Sequence, residues 1–333
     1  MTARDMVQTL LAGRSGAPAR DHAEATAPAN IALVKYWGKR DAELNLPVTD
    51  SLSVALTPLG TQTRLAPRRG GDEVTLNGAA VPPDDPFAVR LARFLDLFRP
   101  APDVGFAVAT VNTVPTAAGV ASSASGFAAL TRALDALFDW RLPPAALSAL
   151  ARLGSGSACR SLWDGFVEWR AGERADGRDS HGVPLSETWP GLCVGLRIVD
   201  AGPKSAPSRA AMNDTTASSP LYAAWPDTVR RDLAAARAAI ARRDFAALGA
   251  TAEGNALAMH ATALAARPAV CYWQPETLRT LRRVWALRAA GTPVYATLDA
   301  GPNVKLLFEA PARSAVRVAF PDLQVIGPFD RAP

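Results

Sequence analysis

PVYATLDAGPNVKLLFE, residues 293–309, reads as two short apolar strands joined by a tight Gly-Pro turn. The only carboxylate at that turn, Asp299, stands where the first strand ends. A strand that delivers one acid to a sharp turn is a common way to set a catalytic group at the mouth of a cleft. An aspartate that hydrogen-bonds the amides of its own turn is the commoner reading of such a residue taken alone.

Working outward, AVRVAF (residues 315–320) reads as a further strand, and Leu192, Val194, Leu196 and Ile198 alternate as another. Between them lie Ala-rich helical stretches from about Thr228 to Ala265 and from Pro275 to Ala290. In the first half, SLSVAL (51–56) and EVTL (73–76) alternate as strands, the latter closed by Asn77-Gly78 as a hairpin turn. Phe87, Leu91, Phe94, Leu95 and Phe98 recur at helical spacing. Phe106 and Val108 mark a strand, Phe127, Leu130, Leu134 and Leu137 a helix stripe, and GFVEW (165–169) another strand. Strands and helices in mixed order with hairpins indicate an α+β fold rather than a doubly wound sheet. The polar stretch from Gly172 to Gly182 is a loop, and the composition changes beyond it. Two domains are therefore expected, over residues 25–187 and 188–333, after an N-terminal extension (1–24) expected to be loosely held.

The chain has 333 residues, 49% hydrophobic and 20% charged, enough to bury a large core. Its 36 basic and 31 acidic side chains leave a net charge of +5, which suits an anionic ligand but is too diffuse for nucleic-acid binding. Cys159, Cys193 and Cys271 are odd in number and far apart, which supports neither a disulfide framework nor a paired-cysteine zinc site and fits a reducing, cytoplasmic setting. No apolar stretch approaches the roughly 20 residues of a membrane helix.

Four clusters could carry chemistry. PTAAGVASSASG (115–126) is a small-residue loop before a helix, where backbone N–H groups and the helix N-terminus can receive phosphate oxygens. It lacks the Gly-Lys-Ser/Thr ending of a Walker A loop, and taken alone a capped, closely packed helix start at Ser122 or Ser123 is the commoner reading. KYWGKR (35–40) is a phosphate clamp or a solvated basic loop. SGSACR (155–160) combines hydroxyls with a guanidinium fork suited to a carboxylate or other oxyanion. PSR (207–209) places Ser208 and Arg209 on a Pro-bounded loop. Cys159, with no histidine nearby in sequence, reads as a packing residue, and His260 as a structural residue of a helix.

Taken in order, TAPANIALVKYWGKRD, PVTDSLSVAL, VPTAAGVASSASGFAAL, GSGSACRSLWDGFVEW, APSRAAM, MHAT and DAGPNVKLL resemble the diphosphomevalonate decarboxylase family of the GHMP kinase superfamily. The resemblance runs from about Thr26 to the C-terminal strands. It implies a ribosomal-S5-like N-terminal domain on a ferredoxin-like C-terminal domain, an active site between them, and a homodimer. The activity implied is that of an ATP-dependent carboxy-lyase, with ATP as co-substrate and Mg2+. Mevalonate 5-diphosphate is phosphorylated on its tertiary 3-hydroxyl and then loses CO2 and phosphate to give isopentenyl diphosphate.

Residue by residue, the resemblance assigns Pro115, Ala117, Ala118, Gly119, Ala121, Ser122 and Ser123 to ATP, with Ser123 as the Mg2+ contact. Tyr36, Trp37, Gly38, Lys39, Ser155, Gly156, Ser157, Ser208, Arg209, Met212 and Thr215 are assigned to the diphosphate and carbon chain of the substrate. Arg160 meets its carboxylate, Asp299 the 3-hydroxyl, and Lys35 neighbours Asp299. Some relatives carry a substrate-binding arginine in the helix near Pro86, where this chain has Phe87, with Arg90 and Arg93 further on; the contact is not assigned. Two related activities share these motifs, a phosphomevalonate decarboxylase and a mevalonate 3-kinase. A catalytically silent binding protein of the same fold is opposed by the joint presence of Lys35, Arg160 and Asp299.

Overall fold

The computed structural model describes residues 1–14, 16–114, 122–202 and 206–330. The first half contains α1 (Ala3–Leu11), β1 (Ala23–Val34), β2 (Lys39–Asp41), β3 (Leu46–Pro47), β4 (Ser51–Arg69), β5 (Glu73–Leu76), β6 (Ala79–Val81), α2 (Pro86–Leu95), β7 (Val104–Asn112), α3 (Ser122–Phe138), α4 (Pro144–Gly154), β8 (Phe166–Trp169) and β9 (Gly182–Pro184). The second contains β10 (Leu192–Arg197), α5 (Ser208–Ser218), α6 (Trp225–Arg242), α7 (Phe245–Leu264), α8 (Pro275–Ala289), β11 (Val294–Leu298), β12 (Val304–Glu309), α9 (Arg313–Ala319) and β13 (Gln324–Ile326).

The 19-residue β4 is the spine of the first sheet. β1 pairs along it from Ala23 opposite Leu65 to Val34 opposite Leu52, with the register shifting at Ala29 and Leu33. β8 pairs with its first part and β7 with its last. The β5–β6 hairpin turns at Asn77-Gly78, with φ of 51° and 83°, the left-handed pair that this dipeptide favours. α3 and α4 bury Phe127, Leu130, Leu134 and Leu150 in the first core. The second sheet has the order β11-β12-β10-β13, all antiparallel. Its core of Leu281, Val284, Val294, Leu306 and Phe308 is continuous with Ile31 and Leu33 of β1. That explains why β1 shows no alternation from Ala29 to Val34: every residue there is buried, and the strand touches both α3 and α7.

Three sequence expectations are corrected. Residues 1–24 are not a loosely held extension throughout, because α1 is capped by a reciprocal Thr2–Asp5 box and buries Met6, Val7 and Leu11 in the first core. Nine residues are too few for a stable isolated helix, so packing, which local sequence hides, holds it. AVRVAF is helical: α9 buries Val316 and Ala319, three apart, and leaves Val318 78% exposed. The fourth strand of the sheet is instead β13, three residues long and too short to show a period. Ser208 and Arg209 open α5 rather than lying on a loop, with Pro207 preceding the first turn.

Candidate active site

The loop 299–303 joins antiparallel β11 and β12, with Leu298 opposite Val304. It is pinned from outside: Asn303 Oδ1 accepts the N–H groups of Val199 and Asp200 at 2.7 and 2.9 Å, and Thr277 Oγ1 donates to the Pro302 carbonyl at 2.8 Å. Asp299 is thereby held in a cleft of about 620 Å³ between the two halves. Its Oδ1 accepts from Lys35 Nζ at 2.9 Å, and its Oδ2 lies 3.1 Å from Lys305 Nζ. Both lysine side chains are 2% exposed. Burial pushes the Asp299 carboxyl upward, but Lys305 and Lys35 together outweigh it and hold it well below the usual carboxylate range. Burial brings the Lys35 ammonium down to about 8 even though Asp299 opposes the change.

Lys35 follows β1, and its backbone is anchored by its N–H to Asn255 Oδ1 of α7 at 2.7 Å. One further turn along α7, His260 hydrogen-bonds the Asp299 backbone and packs 5.3 Å from Trp273. Burial, then Lys35, lowers the imidazole to about 3, so it stays neutral and structural. Arg160, 2% exposed, closes a short 3-10 turn after α4. Its Nη1 donates to Ser51 Oγ, and its guanidinium carbon sits 5.8 Å from the Trp169 ring centre. Its Nε is buried with no partner, an unanswered donor on a cation that lines the cleft. Neighbouring Cys159 is fully buried and its thiol is pushed up to about 12 by burial, which makes it a packing residue.

A second cationic group occupies the same cleft. Lys39 is lowered to about 8 by burial and then by Arg209 and Arg90, and Arg90 is lowered by burial and then by Arg209. Lys39 Nζ donates to Asn45 Oδ1 at 2.6 Å and Arg90 Nη2 to the Gly154 carbonyl at 2.8 Å, neutral acceptors that leave the charge in place. Tyr36, Ser155, Gly156 and Ser157 line the cleft, as do Ser208 and Met212. The Tyr36 hydroxyl is buried with no partner, and a Cβ on Gly156 would come within 2.9 Å of it. Ser123 Oγ lies 3.4 Å from Ser155 Oγ.

Residues 27–182 match the diphosphomevalonate decarboxylase-like N-terminal domain, and residues 194–322 match the mevalonate 5-diphosphate decarboxylase C-terminal domain. The diphosphomevalonate decarboxylase of Aspergillus fumigatus is 39% identical over 310 residues, 86% of this chain and 76% of its own length. The chain belongs to the diphosphomevalonate decarboxylase family. Two solved family structures agree in fold. The mevalonate diphosphate decarboxylase of Staphylococcus aureus has a TM-score of 0.86 at 36% identity, covering 92% of this chain and 95% of that one. MDDEF, solved in complex with MVAPP, AMPPCP and magnesium, has a TM-score of 0.86 at 37% identity, covering 92% and 96%. The α+β, two-domain GHMP kinase fold expected from the motifs is the fold of this diphosphomevalonate decarboxylase family member.

Not every assigned residue reaches the cleft. Thr215 is fully buried, and its hydroxyl donates to the Ala211 carbonyl of its own helix, so it is a core residue. Gly38 serves the backbone: its φ is 110°, and a Cβ there would sit 1.7 Å from the Tyr222 hydroxyl, which donates to the Trp37 carbonyl. Trp37 is 1% exposed and forms part of the cleft's floor. Pro115, Ala117, Ala118, Gly119 and Ala121 lie outside the described residues, and Ser122 begins α3. Sequence reasoning missed Lys305, for which the available signal was a lysine inside the apolar run VKLLF. It also left Arg90 unassigned; the structure puts Arg90 in the cleft while Phe87 packs against the first core.

Among the described residues no cluster of three or more His, Cys, Asp or Glu is placed to hold a metal ion. The Ser123 side chain lines the cleft. No helix among the described residues is long and apolar enough to cross a membrane.

Proposed function

We propose that this protein catalyses the ATP-dependent decarboxylation of (R)-mevalonate 5-diphosphate to isopentenyl diphosphate, releasing ADP, phosphate and CO2. The observation that carries the proposal is Asp299, held between two buried lysines in the same cleft as Arg160 and the Lys39–Arg90–Arg209 group.

Asp299 accepts the hydrogen bond of the tertiary 3-hydroxyl and points its oxygen at the γ-phosphorus of ATP. A carboxylate held down by two ammoniums is a weak proton acceptor, so its first contribution is orientation and electrostatics. The proton passes to it only as the forming O–P bond acidifies the hydroxyl. Lys35 and Lys305 keep Asp299 anionic and supply positive charge where negative charge gathers during phosphoryl transfer. The Ser123 hydroxyl would help hold the Mg2+ that accompanies ATP, which would supply further charge neutralisation.

In the second step the C3–O bond breaks and phosphate leaves with the electron pair. The electrons of the C1–C2 bond then form the C2=C3 double bond as CO2 departs. Arg160 aligns the carboxylate with its donors. Tyr36, Ser155, Ser157 and Ser208 supply neutral donors along the chain, Met212 an apolar wall, and Lys39, Arg90 and Arg209 receive the 5-diphosphate.

That cationic group favours a diphosphate over a 5-hydroxyl or 5-phosphate, because three like charges gathered at one end of the cleft are better answered by two phosphates than by one or none. Incubation with ATP, Mg2+ and each of mevalonate, its 5-phosphate and its 5-diphosphate, followed by measurement of ADP, phosphate and CO2, tests this directly. All three products are expected in equal amounts from the 5-diphosphate. ADP without CO2 would instead make the protein a 3-kinase. The same reading carries a homodimer, checked by sedimentation, and a cytoplasmic setting, supported by cysteines that are odd in number and far apart in the sequence.

A further inference from the structure

The N-terminal family match begins at residue 27, yet α1, upstream of it, is tied by named contacts to a residue of the cleft. Met6 Sδ accepts from Arg152 Nη2 at 3.3 Å. Arg152 lies fully buried on α4, and carbonyls answer the rest of its guanidinium: Nε donates to Leu44 at 3.0 Å, and Nη1 to Gly177 at 2.8 Å and to Ser180. The residue after Leu44 is Asn45, in the left-handed region at φ 51°. Its Nδ2 donates to the carbonyls of Arg152 and Leu153 at 3.0 and 2.9 Å, and its Oδ1 accepts from Lys39 Nζ at 2.6 Å. A second tie runs from the start of α1, whose Ala3 N–H donates to Glu43 Oε1 at 2.9 Å. Leu44 and Leu46 are fully buried in the same core as Met6, Val7 and Leu11.

We infer that α1 is a positioning element of the active site: through Arg152 and Glu43 it holds the β2–β3 hairpin so that Asn45 fixes the Lys39 ammonium where the substrate's diphosphate is received. The inference rests on the diphosphate role of Lys39 proposed above. A lysine on four rotatable carbons loses affinity to its own freedom unless something holds it. Asn45 restrains it with a neutral oxygen and so leaves its charge for the ligand. Asn45 in turn can hold that place only while Leu44 and the end of α4 are fixed, which is what Arg152 and α1 do together.

Two variants test the link, Asn45→Ala and the α1-face variant Met6→Ala/Val7→Ala/Leu11→Ala, each made in the full chain with and without Lys39→Met. In the unaltered background each is expected to raise the KM for mevalonate 5-diphosphate about tenfold, while the KM for ATP and kcat stay within about twofold. In the Lys39→Met background neither is expected to raise it further. A purely structural helix would instead lower Tm and raise KM equally in both backgrounds, which would overturn the inference. If Lys39→Met raises the KM while both other variants leave it unchanged, the α1 link alone is wrong. If Lys39→Met itself leaves it unchanged, the diphosphate role of Lys39 is wrong and the inference goes with it. Should the α1-face variant fail to give a cooperative melt, Glu43→Ala replaces it, with an expected rise of about threefold. No change in either Glu43→Ala or Asn45→Ala overturns the inference.

Discussion

Positive charge is handled in opposite ways in two regions of the cleft. At Asp299, two lysines that are each 2% exposed are answered by one carboxylate at 2.9 and 3.1 Å. Lys39 and Arg90 instead meet a carboxamide oxygen and a carbonyl, and both are lowered first by burial and then by neighbouring positive charge, Arg209 above all. Burying a cation costs several kcal/mol unless a counter-charge or full hydrogen bonding offsets it. The first region, being buried, therefore carries its own compensation, whereas the second, with Lys39 half-buried and Arg90 and Arg209 exposed, leaves its charge open to an anionic ligand. Reaction should depend on the first region and affinity on the second.

The largest test of that division is Asp299→Asn, which should still bind ATP and lose at least about 10²-fold in kcat, measured as ADP release. A comparable loss confined to KM would assign Asp299 to binding and erase the contrast. At the other region, Arg209→Ala should raise the KM for mevalonate 5-diphosphate about tenfold with a smaller effect on the 5-phosphate. Equal effects on both substrates would show that the cationic group does not read the second phosphate.

Changes in pH act on both regions and separate them. Lys35 and Lys39 are each drawn down to about 8 by burial, so in the free enzyme each loses its positive charge as pH rises through that value. Turnover and affinity should both decline above pH 8. Lys35→Arg should move the limb in turnover to higher pH and Lys39→Arg the limb in KM, since arginine stays protonated. The smallest effect is expected from Cys159→Ala, within about twofold in kcat, because a thiol pushed up to about 12 and closed to solvent does no chemistry.

The halves of the fold were not equally legible. The Asn77-Gly78 hairpin, the α2 stripe and the strands on either side of Asp299 were readable because turn chemistry and periodicity are local properties. α9 and β13 were not, since one is seven residues and the other three, and Val-rich composition misled where packing on Val316 decided. In the site, Asp299, Lys35 and Arg160 stood out through ordered motifs, while Lys305 was hidden by looking like part of a strand. Thr215 shows the converse: a residue in the right motif whose hydroxyl turned to its own helix.

By itself the sequence determined the fold class, the family motifs and the place of one acid at the turn between β11 and β12, because those depend on the order of residue types along the chain. Only the tertiary structure decided that Asp299 sits between two lysines rather than beside one, that Arg90 joins Lys39 and Arg209, and that Met6 of α1 meets Arg152 while Asn45 meets Lys39. Lys35 and Asp299 are 264 residues apart, and Met6 and Arg152 are separated by 146. Charge compensation, burial and the resulting shifts in pKa are set by distances in space, and those exist only once the two halves have closed on one another.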